Sequence, residues 1–178
     1  AETVAGLTVL EALAQAAATA AAPILVSIAS PLVLPVAQEM LRQAYEQAGY
    51  SQEYDPTQVR FIAPQRNAYA IGAARLMRQE KVGTSVTVGN FGDEYLLLGE
   101  AGAEDKILQV AGTGEAHTLP FMVATARHVL VGEDVFAAGA YLSARPAHLA
   151  GLMAQDHGRL LVILLILTGV FLATWPAR

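Results

Sequence analysis

The chain has 178 residues, a formal net charge of −5 and no cluster of lysines or arginines, so its composition argues against a nucleic-acid partner. It contains no cysteine, which excludes disulfides, thiolate metal sites, iron–sulfur clusters and cysteine nucleophiles. Hydrophobic residues make up 54% of the chain and the mean hydropathy is +0.40, both high for a water-soluble protein.

Helical and strand patterns alternate through the N-terminal half. Leucines and valines recur at helical spacing before Pro23, and residues 24–28 are nearly all apolar, as in a strand covered on both faces. Gly49 closes a second helical segment. The predicted elements of this half are helices over residues 3–22, 36–48 and 67–80 and strands over residues 24–28 and 59–63.

The alternation continues in the C-terminal half. The predicted elements here are strands over residues 84–88, 107–111 and 128–131, a short helix capped by Asp93, and helices over residues 118–126 and 133–142. Strands separated by helices favour parallel pairing with right-handed crossovers. The sequence therefore predicts an α/β domain built as a three-layer, Rossmann-like open parallel sheet of about five strands.

The most apolar part of the chain is the run LLVILLILTGVFLATW at residues 160–175, which lies between Arg159 and Arg178. At about 1.5 Å per residue it is about 24 Å long, and snorkelling arginines can bridge the difference from a hydrocarbon core of roughly 30 Å. We therefore predict a C-terminal transmembrane helix, with a globular domain over residues 1–145 and a C-terminal helix over residues 146–178. A buried core helix is the alternative, and the arginine on each side leaves the orientation open.

The start of the chain, Ala1-Glu2-Thr3, has no initiator methionine and no basic segment of a signal peptide. This pattern is typical of the interior of a longer gene product. We therefore expect further sequence upstream.

Glycine-containing loops follow the predicted strands. In an open parallel sheet such loops meet at the carboxyl edge, where ligands bind, and backbone N–H groups at the following helix starts can hold an anion. An arginine at this edge adds a clamp for phosphate or carboxylate. The predicted ligand-binding residues are Arg66, Gly89, Asn90, Gly92, Gly112, Thr113, Gly114 and Glu115. Neither a Gly-x-Gly-x-x-Gly fingerprint nor a P-loop is present, so ordinary turn glycines are the competing interpretation.

The best candidates for acid–base chemistry or metal binding are Glu115, His117, Glu133 and Asp134. The competing interpretation is structural, because acidic residues in the first turn of a helix favour its dipole. No serine lies in a Gly-x-Ser-x-Gly elbow. The sequence therefore assigns no catalytic residue, no metal and no cofactor, and it does not indicate an enzyme.

Small residues form flat faces near the C-terminus. They are Ala137, Ala138, Gly139, Ala140, Ala147, Ala150, Gly151 and Ala154. Such faces let helices approach closely, within a subunit or between subunits. We expect oligomerisation, either with further copies of the chain or with other membrane-protein subunits.

Several segments together resemble a known family. They are Ala111-Gly112-Thr113, Thr118-Leu119-Pro120-Phe121, the stretch VGEDVFAAGAYL at residues 131–142, the opening AETVAGL and GNFGDE at residues 89–94. They are similar to a family of bacterial membrane-associated proteins known only as a domain of unknown function. The resemblance implies a bacterial membrane location, but no activity, substrate or catalytic residue.

Two functions from different classes follow as hypotheses. The first is a membrane-anchored, self-associating structural or assembly protein in contact with lipid, of which a subunit of a larger redox or photosynthetic complex is a variant. The alternative is a tethered α/β domain that binds a small anion or a nucleotide, with or without catalysis.

Overall fold

A computed structural model describes residues 2–132, 134, 135, 137, 138 and 160–170. The chain divides into two compact units, Ala1–Ser143 and Ala144–Arg178, and the predicted boundary after residue 145 falls outside the described residues. Helices and strands alternate in the first unit: α1 (Glu2–Thr19), β1 (Val26–Ile28), α2 (Leu34–Gln47), β2 (Val59–Phe61), α3 (Arg66–Gln79), β3 (Thr84–Val88), α4 (Tyr95–Glu104), β4 (Leu108–Thr113), α5 (Leu119–Thr125) and β5 (His128–Val131).

The described strands form two small parallel sheets. One pairs β1 with β2, and the other has the order β3-β4-β5. The predicted three-layer open sheet of about five strands is therefore wrong, while the mixed α/β character is confirmed. The physical reason lies in β1 and β2, which have three residues each and so offer few backbone groups for a ladder on both sides.

Each sheet has its own apolar core. In the first core the small side chains of Ala14 and Ala18 on α1 meet α2, where Ala37 and Leu41 are fully buried. The second core lies between α3, α4, α5 and β4, and its buried members are Ala73, Met77, Tyr95, Leu98, Ala111 and Met122. The alanine-rich start of the chain is thus a helix packed through small side chains.

Tyr69 on α3 links the two sheets. Its hydroxyl shares a hydrogen bond of 2.9 Å with Ser27 Oγ on β1. Its ring centroid lies 6.4 Å from that of Phe91, in the loop after β3, and Phe91 makes an edge-on contact with Tyr95. Burial raises the pKa of the Tyr69 hydroxyl, and the hydrogen bond with Ser27 opposes that rise. This contact places the loop after β3 beside β1.

Residues 160–170 of the second unit are helical. Eleven residues span about 16 Å, roughly half of a hydrocarbon core. No helix among the described residues is long and apolar enough to cross a membrane. The predicted transmembrane helix over residues 160–175 and the membrane localisation are therefore wrong for the described part of the chain, and residues 171–175 lie outside it.

Candidate functional site

A chain of hydrogen bonds joins three loops at the carboxyl edge of β3 and β4. Arg66 Nη2, at the start of α3, donates to Asn90 Oδ1 at 2.9 Å. Asn90 Nδ2, after β3, donates to Glu115 Oε1 at 2.8 Å. Glu115 follows β4, and its backbone N–H donates to Thr113 Oγ1 at 3.1 Å. Four residues that the sequence predicts for one site therefore lie together, and their role as ligand-binding residues stays a prediction.

The buried carboxylate of Glu94 lies next to Arg66, at one end of this series of hydrogen bonds. The side chain of Glu94 is only 6% exposed, and its Oε1 lies 3.7 Å from Arg66 Nη1. The same oxygen accepts a 2.8 Å hydrogen bond from the backbone N–H of Gly92. A Cβ atom at Gly92 would lie 2.7 Å from Glu94 Oε2, so the glycine leaves room for the carboxylate. Glu94 thus lies beside the Nη1 atom of the guanidinium, while the Arg66 side chain stays 58% exposed.

The glycines of the predicted site have different roles. Gly112 and Thr113 belong to β4 instead of the loop after it, so the predicted start of that loop is wrong. A Cβ atom at Gly112 would lie 3.2 Å from the Leu130 and Val135 side chains, which is a tight contact. Gly89 has a φ of +152°, and its N–H donates to the carbonyl of Gly112. Gly114 lies exposed in the loop itself.

Only part of the predicted acid–base group comes together. His117 Nδ1 lies 3.7 Å from Glu115 Oε2, and both side chains are open to solvent. Asp134 is exposed, and Glu133 lies outside the described residues. Among the described residues, no group of three or more histidine, aspartate or glutamate side chains is placed to hold a metal ion. The geometry around Glu115 and His117 is that of an open polar surface.

The starts of helices α3, α4 and α5 differ in the side chains that lie next to them. The start of α4 has the buried carboxylate of Glu94 beside it, and at the start of α5 Thr118 Oγ1 donates to the carbonyl of Phe91 at 2.5 Å. None of the three N-cap residues, Gln65, Glu94 and Thr118, makes a side-chain capping bond. Free N–H groups of a first helical turn favour anions. The start of α3 is distinguished by the adjacent Arg66 guanidinium, and this makes it the candidate anion position.

Sequence reasoning missed two residues of this region. It gave Glu94 no place in the site, whereas the Glu94 side chain is buried and lies next to Arg66. It left Thr118 as an ordinary helix residue, whereas the buried Thr118 hydroxyl donates to the Phe91 carbonyl in the loop after β3, a contact between distant residues that no local pattern indicates. For Glu94 the available signal is Gly92, two positions earlier, because a glycine leaves room for the Glu94 side chain to fold back onto the preceding backbone.

Comparison with family models identifies the group to which the chain is related. The model described as a domain of unknown function (DUF6754) matches residues 1–177. The chain belongs to the DUF6754 family. Neither the curated proteins nor the solved structures contain a match to this DUF6754 chain. The predicted membership of an uncharacterised domain family is confirmed, and the family description assigns no activity to the site at Arg66, Asn90 and Glu115.

Proposed function

We propose that this protein is a small-ligand-binding domain, and that its ligand carries both an anionic group and hydroxyl groups, as a nucleotide does. The observation that carries the proposal is the hydrogen-bonded chain from Arg66 through Asn90 to Glu115. It brings a cation from the start of α3, which follows β2, beside a carboxylate from the loop after β4, and the carboxyl ends of parallel strands in α/β folds are common ligand sites. We also propose that the protein is bacterial, as the family resemblance implies.

The anionic group of the ligand binds at Arg66. A guanidinium has five N–H donors in a fixed fork, and only one of those of Arg66 is engaged at hydrogen-bond distance among the described residues. The free N–H groups at the start of α3 lie next to it and add a favourable dipole. Both features favour a phosphate or carboxylate over a neutral group.

The hydroxyl groups of the ligand bind at Glu115. One carboxylate oxygen accepts from Asn90, and the other, Oε2, lies 3.7 Å from His117 on a side chain that is 39% exposed. An ionised carboxylate accepts hydrogen bonds and donates none. It therefore repels a bare anion and favours a compound with hydroxyl donors, as the acidic residue of dinucleotide-binding sheets does with ribose.

Calorimetric titration with inorganic phosphate and with a nucleoside monophosphate tests the proposal. We expect the nucleotide to bind more tightly, Arg66→Ala to weaken its binding at least tenfold, and Glu115→Gln to remove most of its advantage over phosphate. Arg60→Ala is the matched control, because Arg60 is a similarly exposed arginine that pairs with Glu80. Absence of binding at millimolar ligand, or equal losses in the Arg60 and Arg66 variants, would refute the proposal.

Self-association is a second candidate function, and the surface between α3 and α4 favours it. Ile71 is 60% exposed and Leu97 is 45% exposed, and both line the groove between these two helices. Exposed apolar side chains that line one groove mark a contact surface more often than scattered ones do. The predicted small-residue face contributes little to this argument, because of its residues only Ala137 and Ala138 are described.

A further inference from the structure

We infer that two copies of this chain associate face to face through the groove between α3 and α4. The inference rests on the proposed self-association and names its surface. The floor and walls of the groove are small or apolar, formed by Ala74 and Ala101 with Ile71 and Leu97. The charges on the two rims of the groove favour a second copy of the chain as the binding partner.

The two rims carry opposite charges. Arg75 lines the groove from α3, and Glu100 lines it from α4. Neither side chain forms an ion pair with another residue in the described part of the chain. A surface with one basic rim and one acidic rim is complementary to itself, as an isologous two-fold contact requires.

Ion pairs at both ends fix the relative height of the two helices. Arg78 Nη2 lies 2.6 Å from Glu104 Oε2, and Arg78 Nε lies 2.8 Å from Asp105 Oδ2. At the other end Arg66 lies beside Glu94. Helices α3 and α4 therefore run parallel, with their corresponding ends at about the same height. Ile71 of α3 is level with the Leu97 turn of α4.

This register determines how two copies meet. A two-fold axis parallel to the helices places α3 of one copy over α4 of the other at the same height. Each Ile71 then contacts Leu97 of the second copy, and each Arg75 meets Glu100 of the second copy. The contact excludes water from four apolar side chains and forms two ion pairs. Its small apolar centre predicts a dimer that dissociates on dilution.

Charge reversal provides a direct test on the full chain. We expect sedimentation velocity over a concentration series to show wild-type protein passing from 18.7 kDa to twice that mass. Arg75→Glu places like charges on both rims and raises the dissociation constant about tenfold, and Glu100→Arg does the same. Arg127→Glu is the matched control, since it makes the same change of charge at an exposed arginine away from the groove and leaves association unchanged.

Mixing the two variants is the decisive measurement. In a mixed dimer each glutamate at 75 meets an arginine at 100, and each arginine at 75 meets a glutamate at 100. We expect the mixture to associate at concentrations at which neither variant does alone. A wild-type protein that remains monomeric at every concentration overturns both self-association and this surface. A wild-type dimer that neither variant weakens, or variants that fail to associate when mixed, overturns this surface while self-association stands.

Discussion

Substituting alanine for Gly92 tests whether the buried carboxylate of Glu94 organises the site. The new Cβ atom would lie 2.7 Å from Glu94 Oε2 and 3.1 Å from Arg66 Nη1. The first distance is about 0.8 Å below the roughly 3.5 Å optimum for non-bonded heavy atoms. The carboxylate must therefore retreat within a pocket that leaves it only 6% exposed.

The retreat removes the 2.8 Å hydrogen bond from the Gly92 N–H to Glu94 Oε1. Hydrogen bonds to charged groups contribute about 1.5–3 kcal/mol, so we expect Gly92→Ala to lower the free energy of unfolding by about 2 kcal/mol. For a chain of this length that loss lowers Tm by roughly 4–8 °C. Urea unfolding followed by far-UV circular dichroism measures it.

A double-mutant cycle with Glu94→Ala separates this clash from other effects of the alanine. Without the carboxylate the nearest atom to the added methyl group is Arg66 Nη1, at the end of a flexible side chain, so Gly92→Ala should then cost less than about 0.5 kcal/mol. Gly83→Ala is the matched control, because no atom lies within 4 Å of a Cβ at Gly83. An equal cost of Gly92→Ala with and without Glu94 would refute the reasoning.

Three further predictions concern other contacts. Tyr69→Phe removes the hydrogen bond with Ser27 and should cost about 1 kcal/mol by urea unfolding, and an equal cost in a Ser27→Ala background would contradict it. Because burial raises the Tyr69 pKa, the wild-type chain keeps its full stability below the ordinary tyrosine range and loses part of it as pH rises through the raised value, a loss that Tyr69→Phe should abolish. The pKa of Glu39 is lowered to about 2, chiefly by the hydrogen bond from Arg42, so its stabilisation is present above the ordinary carboxyl range and is lost as pH falls through about 2. NMR titration should show the Glu39 midpoint rising toward 4.5 in Arg42→Gln, and an unchanged midpoint would refute the assignment. Thr118→Val removes the hydrogen bond from the fully buried Thr118 hydroxyl to the Phe91 carbonyl and should cost about 1–3 kcal/mol in thermal unfolding, whereas Thr118→Ser should cost far less.

Elements with strong local signals were predictable from the sequence. Strands β3 and β5 have the predicted bounds, residues 84–88 and 128–131, because short runs rich in β-branched residues stand next to glycine. Helix α3 differs by one residue at each end from the predicted 67–80. Local propensity and apolar spacing determine these elements without knowledge of their neighbours.

The sheet arrangement was not predictable, because it depends on contacts between distant residues. The three-residue length of β1 and β2 reflects where pairing stops, which no local pattern reveals. Gly112 has the character of a turn residue in the sequence, yet it continues β4, because its backbone is in register with Val88 of β3 and Leu130 of β5. Its identity is determined by packing from other elements.

The candidate site was predictable in outline only. The expectation of one shared sheet edge grouped Arg66 with Asn90 and Glu115. In the structure Arg66 follows β2 of the first sheet, whereas Asn90 and Glu115 follow β3 and β4 of the second. The burial of Glu94 could not be predicted from the sequence, because an acidic residue at a helix start is usually exposed and interacts favourably with the helix dipole. Its position depends on the guanidinium and the N–H that surround it in the folded chain.

The central position of Asn90 has a consequence for selectivity. Its amide oxygen accepts from Arg66 while its amide nitrogen donates to Glu115, so the two charged groups share one neutral connector. A simple inorganic anion that draws the guanidinium away leaves the amide oxygen without its donor. A larger ligand with its own N–H or O–H group replaces that donor as it arrives. Under the proposed function, the connector makes binding depend on the shape and donor pattern of the ligand as well as on its charge.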